Sequence, residues 1–326
     1  MMKKTTSALA IAALLGTGAA SAATFQISDD TTVGIGGAFY PAYTNTKNSS
    51  GNTESSYADY SRLIFSADKA AVDGTTASLY YQLRPQGALG TFADAGDTDT
   101  DETSAGVSTH VAYATLSGEF GSVTYGKNDN LFYRFVGVTQ DYNDSIVFTR
   151  SNGEERTRVA TYESPDFDGF GFAVESELSA DGEQAKTDTG NSNSFNGAVY
   201  ADLEPVQVHA AYSQGNLQNA NSDGAYGLAA VTSIDVVDLK AVYTNSKINS
   251  DKLTTAGLFA STSYSFGSLH LGAQSVDLDG ASNRTEVIGR ATYDIADNVY
   301  TSVEYGSLDK ANDEGNGFAV NLWYGF

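Results

Sequence analysis

The chain of 326 residues has no cysteine and four prolines. Without cysteine there is no disulfide, no thiolate metal site, no thiol nucleophile and no lipoprotein anchor at the N-terminus. Basic residues are scarce, with 18 Lys and Arg against 40 Asp and Glu, a formal charge of −22 at pH 7. Nucleic-acid partners are excluded, because phosphate binding needs a basic surface. Long apolar runs are also missing. The unbroken run at 8–15 is eight residues, whereas a membrane-spanning helix needs about 20. Against these shortages stand 33 glycines, 20 tyrosines and a charged fraction of only 18%, which do not suit a disordered acidic chain. The length allows two domains at roughly 150 residues each, but one all-β barrel of this size is ordinary.

The first segment reads as an export signal. Lys3 and Lys4 precede the apolar run, and Ala20-Ser21-Ala22 gives the small-x-small pattern of a cleavage site. We expect residues 1–22 to be the signal and 23–326 the mature domain. Removing 1–22 takes away two lysines and leaves 304 residues with a net charge of −24.

The mature chain reads as strands of alternating polarity. In 316–326, Phe318, Val320, Leu322, Tyr324 and Phe326 share one face, and Gly317, Ala319, Asn321 and Gly325 the other. A pleated strand sends successive side chains to opposite faces. The same period recurs in 206–212, 237–243, 269–274 and 285–293. Short breaks such as Val72-Asp73-Gly74, Ser233-Ile234-Asp235 and Ala296-Asp297-Asn298 alternate with long polar stretches such as 85–106, 128–155 and 179–193. Counting strands between breaks from Thr31 gives sixteen. Alternating segments with short turns at one end and long loops at the other describe an antiparallel up-and-down barrel of the outer-membrane type. A bilayer offers no water to unpaired backbone groups, so a chain without spanning helices must close its sheet.

The competing fold is a secreted β-sandwich or solenoid adhesin. A sandwich would concentrate its heavy apolar residues in a shared core. Here the apolar faces are thin and evenly spread, and the opposite faces carry Arg62, Arg84, Glu175, Glu177, Lys240, Glu286, Arg290 and Glu304. That distribution favours the barrel.

Several stretches resemble the general porins of Gram-negative bacteria. They are Thr32 to Phe39, Tyr60 to Phe65, Gly118 to Lys127 leading into a long third loop, Arg158 to Phe170, and a terminal Phe326 on an aromatic strand. The resemblance implies a sixteen-stranded barrel, a homotrimer, and a third loop folded inward to narrow each channel. It also implies that Leu322, Tyr324 and Phe326 are read by the barrel-assembly machinery. The loop departs from the family in one respect. Where general porins carry a Pro-Glu-Phe-Gly-Gly type stretch, this chain has Val138 to Asp144.

Eight strands close on their own side chains, whereas 16 to 18 leave a water channel whose narrowest point sets selectivity. Strand parity turns Arg62 and Ile64 inward on the second strand, and Tyr80, Gln82 and Arg84 on the third. On the fourth, with Val111, Tyr113 and Thr115 facing out, it turns His110, Ala112 and Ala114 inward, the two alanines leaving room for a loop. On the sixth it turns Arg156 and Arg158 inward. We therefore expect Arg62, Arg84, His110, Arg156 and Arg158 on the basic side of a constriction. Asp129, Asp141 and Asp144 of the third loop form its acidic side. These arginines serve equally well to pin the loop by pairing with its acids. The net charge favours cations, most strongly at low salt.

His110, His209 and His270 lack a positioned serine: neither G-x-S-x-G nor H-E-x-x-H is present, so a barrel phospholipase is disfavoured. Asp97-Thr-Asp-Thr-Asp101 opens like an EF-hand, but Glu102 and Ser108 occupy the Gly and Glu positions. It reads as an exposed acidic loop binding divalent cations that bridge to lipopolysaccharide. No cofactor or resident metal and no enzyme activity is expected. The reading is a passive, cation-preferring channel of the outer-membrane lipid bilayer for small hydrophilic solutes. The alternatives are a sugar-preferring porin, for which Tyr80, Tyr162 and Tyr200 are too scattered to form a ladder, and a non-channel adhesin or structural barrel.

Overall fold

The computed structural model describes residues 23–86, 106–141, 143–151, 156–178, 193–215, 222–248 and 251–326. The export segment 1–22 and the acidic run 97–101 lie outside the described residues. Among the described residues, nineteen strands form one sheet. They begin with β1 (Ala23–Ser28), β2 (Thr31–Phe39), β3 (Pro41–Lys47), β4 (Thr53–Asp59), β5 (Arg62–Ala70) and β6 (Thr76–Gln86). Next come β7 (Gly106–Gly118), β8 (Gly121–Asp129), β9 (Arg156–Glu163), β10 (Phe170–Leu178), β11 (Asn193–Asp202) and β12 (Val206–Ser213). Then follow β13 (Ser222–Ile234), β14 (Val237–Ile248), β15 (Asp251–Tyr264), β16 (Gly267–Leu278), β17 (Arg284–Ala296), β18 (Val299–Ser307) and β19 (Gly317–Gly325).

Nineteen strands make sixteen staves, as the turn count predicts. β2 runs on into β3 and β4 into β5, because β2 pairs with β5 and β3 with β4 along one hairpin interrupted near Tyr40 and Tyr60. The last stave is built from β19 and β1. β19 pairs with β3 and then β2, Phe326 exchanges two backbone hydrogen bonds with Gly37, and β1 continues against β2 from Ala23 opposite Ile35. All pairings are antiparallel between chain neighbours, and this last one closes the ring. No backbone edge is left for the bilayer to solvate.

Aspartate and asparagine turn the short connections. Asp73, Asp168, Asp235 and Asn298 sit at positive φ, which their short polar side chains tolerate better than most. The outer face is apolar and exposed, with Phe195, Leu228, Leu258, Leu271, Val303 and Tyr305 among its side chains. Phe318, Val320, Leu322, Tyr324 and Phe326 share that face, while Ala319, Asn321 and Trp323 are buried on the inner one.

The apolar core is not at the centre of a folded globule. It lies between the inner wall and the third loop. Leu131, Phe132, Phe135, Val136, Ile146 and Phe148 of the loop pack on wall residues Ala173, Ala198, Ala211, Ala229, Val242 and Ile288.

Candidate functional site

The third loop enters the barrel after Asp129. Asn130 caps a five-residue helix, α1 (Leu131–Phe135), by accepting the Tyr133 N–H, a role suited to asparagine. The helix lies against β11, β12 and β13. The loop then crosses the wall as far as Asn321 of β19, to which Ser145 Oγ donates at 3.0 Å, and turns back. Gln140 Nε2 donates to Thr255 Oγ1 at 3.1 Å and to Gln274 Oε1 at 2.8 Å. Further back, Ser246 Oγ donates to the Ser151 carbonyl at 3.1 Å.

Wall carboxylates hold this path. Glu175 accepts the Leu131 N–H, Thr161 Oγ1–H and Asn196 Nδ2–H. Glu304 accepts the backbone N–H groups of Asp144, Ser145 and Ile146, each at 3.0 Å. Glu286 accepts the N–H and hydroxyl of Thr149, and Arg284 pairs with it at 3.1 Å. All three glutamates are at most 2% exposed. A buried carboxylate is costly unless its lone pairs are filled, and here backbone and side-chain donors of loop and wall fill them.

The wall also makes space. A Cβ on Gly306 would stand 2.5 Å from Ile146, and one on Gly227 would stand 2.8 Å from Val136. At those two positions only glycine lets the loop approach.

Two of the three loop acids expected at the constriction, Asp141 and Asp144, are engaged with basic partners. Asp141 accepts from the Tyr133 hydroxyl and pairs with Arg150 at 2.5 Å. Asp144 accepts from the Tyr40 hydroxyl and pairs with Arg290 at 2.7 Å. Asp129 ends β8 in register with Arg156, whose side chain lies outside the described residues. Arg134, on α1, reaches Glu163 at 2.6 Å. Burial works against the Arg134 charge, but Glu163 more than offsets it and raises its ionisation above the ordinary arginine range.

Facing the loop is a barer wall. Arg62 is paired with Ala38, and Arg84 continues the inward set of Tyr80 and Gln82. The Arg62 guanidinium lies 5.0 Å from the Trp323 ring. Trp323 stacks on Tyr300 at 5.7 Å, and Arg290 sits 5.9 Å from Tyr300. A guanidinium, two rings and a second guanidinium therefore run in series to Asp144. Tyr80 and Tyr113 stack nearby at 5.4 Å.

Two parity expectations are overturned. On β7, Leu116 and Val123 of β8 face each other at 44% and 46% exposure, and Ala114 pairs with exposed Leu79. Ala112 and Ala114 therefore face out, and Val111, Tyr113 and Thr115 face in. His110 is the extra residue of a bulge, since Gln82 pairs with Val111 and Leu83 with Thr109. It belongs to no regular inward row. The small-residue seat for the loop exists, but it is Ala173, Ala198, Ala211 and Ala229 on the opposite wall.

On β9, Val159 and Thr161 are buried at 0% and 2% beside Glu177 and Glu175. That places Arg158 and Tyr162 on the outer side, where Arg158 is exposed. Arg158 thus points away from the lumen. The error has a physical source. Both strands carry bulk on both faces, and bulk marks the lipid side only where the lumen side is small.

Arg134, Arg150, Tyr40 and Glu163 escaped the sequence reading, and Arg290, read as inward, was not foreseen as the partner of Asp144. One usable signal was Phe132 and Phe135 behind a capping Asn130, a buried helical turn within a polar loop. The long-range pairings left none.

A family model described as Gram-negative porin matches residues 5–313. The chain is 27% identical to a monosaccharide porin of Halomonas sp over 381 aligned positions, with all of both chains covered. Among solved structures, Salmonella typhi OmpF in complex with daunomycin matches at a TM-score of 0.69 and 17% identity, covering 93% of this chain and 100% of that one. An anion-selective porin from Comamonas acidovorans matches at 0.68 and 16%, covering 91% and 98%. At such identities the structural likeness speaks for the fold.

Proposed function

The chain belongs to the Gram-negative porin family and is an outer-membrane barrel porin, a channel rather than an enzyme; from that premise we propose a general diffusion porin with a weak cation preference. The observation that carries this reading is the third loop pinned inside a sixteen-stave ring by Glu175, Glu286 and Glu304. It leaves a waist between the loop and the wall that bears Arg62 and Arg84. Small hydrophilic solutes cross that waist by diffusion, driven only by their gradients.

The cation preference rests on overall charge more than on the waist. Asp141 and Asp144 each have a guanidinium partner, so they contribute a local transverse field and little net charge. The acidic excess of the chain acts at the mouths and weakens as salt screens it. An anion-selective porin shares the fold, so side chains and not the barrel set the sign.

The assembly we propose is a homotrimer. Ala67, Ala77, Leu79, Ala114 and Leu116 line a shallow apolar groove on the outer face of β5–β7, a smoother surface than the aromatic-rich remainder and suited to packing against a second copy. Residues 1–22 serve as the export signal. Leu322, Tyr324 and Phe326, on the outer face, form the barrel-assembly signal. Divalent cations bridge the loops to lipopolysaccharide.

Single-channel recording in a planar bilayer tests the channel: stepwise openings in triplets support it, and silence overturns it. A reversal potential in a KCl gradient tests the sign, and an anion-selective value refutes the charge argument. A second reading, a sugar-preferring porin, is favoured by the stacked Tyr80 and Tyr113 rings on the inner wall and by the monosaccharide porin of Halomonas sp. Block of the KCl current by millimolar glucose, weakened by Tyr80→Ala, would support it.

A further inference from the structure

Tyr40 stands where the first hairpin is interrupted between β2 and β3. Pro41 follows it, and a proline holds the residue before it extended. The Tyr40 N–H donates to Ser61 Oγ at 2.9 Å, and its carbonyl accepts the Tyr60 N–H at 2.8 Å. The side chain turns inward and is only 1% exposed. Its ring centre lies 5.7 Å from that of Tyr60 and 5.0 Å from that of Trp323. Backbone and ring are both held, which fixes where the hydroxyl points.

That hydroxyl meets the third loop. It donates to Asp144 Oδ2 and accepts from Arg290 Nη2 at 3.4 Å, while Arg290 Nη1 donates to the same Oδ2 at 2.7 Å. Arg290 does not serve Asp144 alone, because Nη1 also lies 3.9 Å from Glu304 Oε1. The other carboxylate oxygen, Asp144 Oδ1, has no hydrogen-bond partner among the described residues. The Asp144 side chain is 35% exposed against 11% for Arg290, so the acid fronts the water and the guanidinium sits behind it.

Asp144 is therefore anchored through one oxygen. A partly exposed ion pair contributes little by itself. The tyrosine adds a hydrogen bond from a buried donor that cannot follow the carboxylate when it turns. Without the hydroxyl, the carboxylate gains orientations directed into the lumen, away from the guanidinium that offsets its charge.

We propose that Tyr40 is a positioning residue for the waist: its hydroxyl keeps Asp144 against Arg290 and thereby limits the channel's cation preference. This rests on the reading of Asp144 as an acid of the waist. The test is the KCl reversal potential of Tyr40→Phe, which keeps the ring between Tyr60 and Trp323 and deletes only the hydroxyl. The potassium-to-chloride permeability ratio should rise by roughly 1.5- to 2-fold, a change on the scale of one weak hydrogen bond. In an Asp144→Asn background the same substitution should leave the ratio unaltered. An unchanged or lowered ratio in Tyr40→Phe overturns the proposal. An equal shift in both backgrounds overturns it too, because it would mark a change of packing alone. Asp144→Asn by itself should lower the ratio; if it does not, the waist reading of Asp144 falls and the proposal with it.

Discussion

The two halves of the inner wall are built on opposite plans. Between β10 and β19 several inward positions under the loop are small or acidic, among larger ones such as Val242, Phe259 and Ile288: Ala173, Ala198, Ala211, Ala229 and Gly306 leave space, and Glu175, Glu286 and Glu304 supply acceptors. From β5 to β7 they are large and basic or aromatic: Arg62, Arg84, Tyr80, Gln82 and Tyr113. The first half receives the loop, and the second faces it. The inner wall is therefore asymmetric. A loop of polar character stays inside a wet barrel only where its backbone N–H groups find acceptors and its few apolar side chains find a dry seat.

The contrast can be broken most severely at Glu304. Glu304→Leu leaves the N–H groups of Asp144, Ser145 and Ile146 without their acceptor. At roughly 1–3 kcal/mol for each unmet buried donor, the loop should detach there, and single-channel recording should show higher, noisier conductance. Unchanged conductance would mean that the carboxylate is not the anchor. Gly306→Val is expected to act next most strongly. Its side chain would start within 2.5 Å of Ile146, and overpacking of this kind costs about 1–3 kcal/mol. The melting temperature should fall and the loop should shift in a crystal structure of the variant.

The facing wall is probed by charge. Arg62→Gln with Arg84→Gln should move the KCl reversal potential toward cation selectivity. Arg158→Gln should leave it unaltered and change stability by no more than about 0.5 kcal/mol, because Arg158 is exposed on the outer side. A selectivity change in Arg158→Gln equal to that of Arg62→Gln would restore the inward parity that the register denies.

The smallest effect belongs to a turn outside the waist. Asp166 accepts the Gly169 N–H and the Tyr200 hydroxyl, which hold its carboxyl below the usual aspartate range. A depressed pKa contributes stability that is present above the unfolded value and lost as pH falls through the folded one. Asp166→Asn should therefore lower the melting temperature slightly at pH 7, with the difference shrinking below roughly pH 4. A gap that widened in acid would contradict this.

Much of the barrel is legible in the sequence. Alternation in 316–326 put Leu322, Tyr324 and Phe326 on the lipid face, where they are exposed. Asp73, Asp235 and Asn298 marked tight turns and sit at positive φ. Glu175, Glu286 and Glu304 were assigned inward, although their role as acceptors for the loop was not visible. Legibility failed at β7 and β9. A bulge at His110 shifts the alternation of β7, and β9 carries Val159 and Thr161 on one side against Arg158 and Tyr162 on the other. Nothing local decides between two such faces.

The sequence by itself determined period, turn positions, stave number and the closed ring, because alternation, turn chemistry and the need to pair every backbone group act over a few residues or on the chain as a whole. Only the tertiary structure decided which wall carries the loop and which arginine meets which acid. Contacts such as Asp144 to Arg290, Gln140 to Gln274 and Thr149 to Glu286 join residues more than 130 positions apart. They exist only once the ring has closed and fixed the distance across its bore.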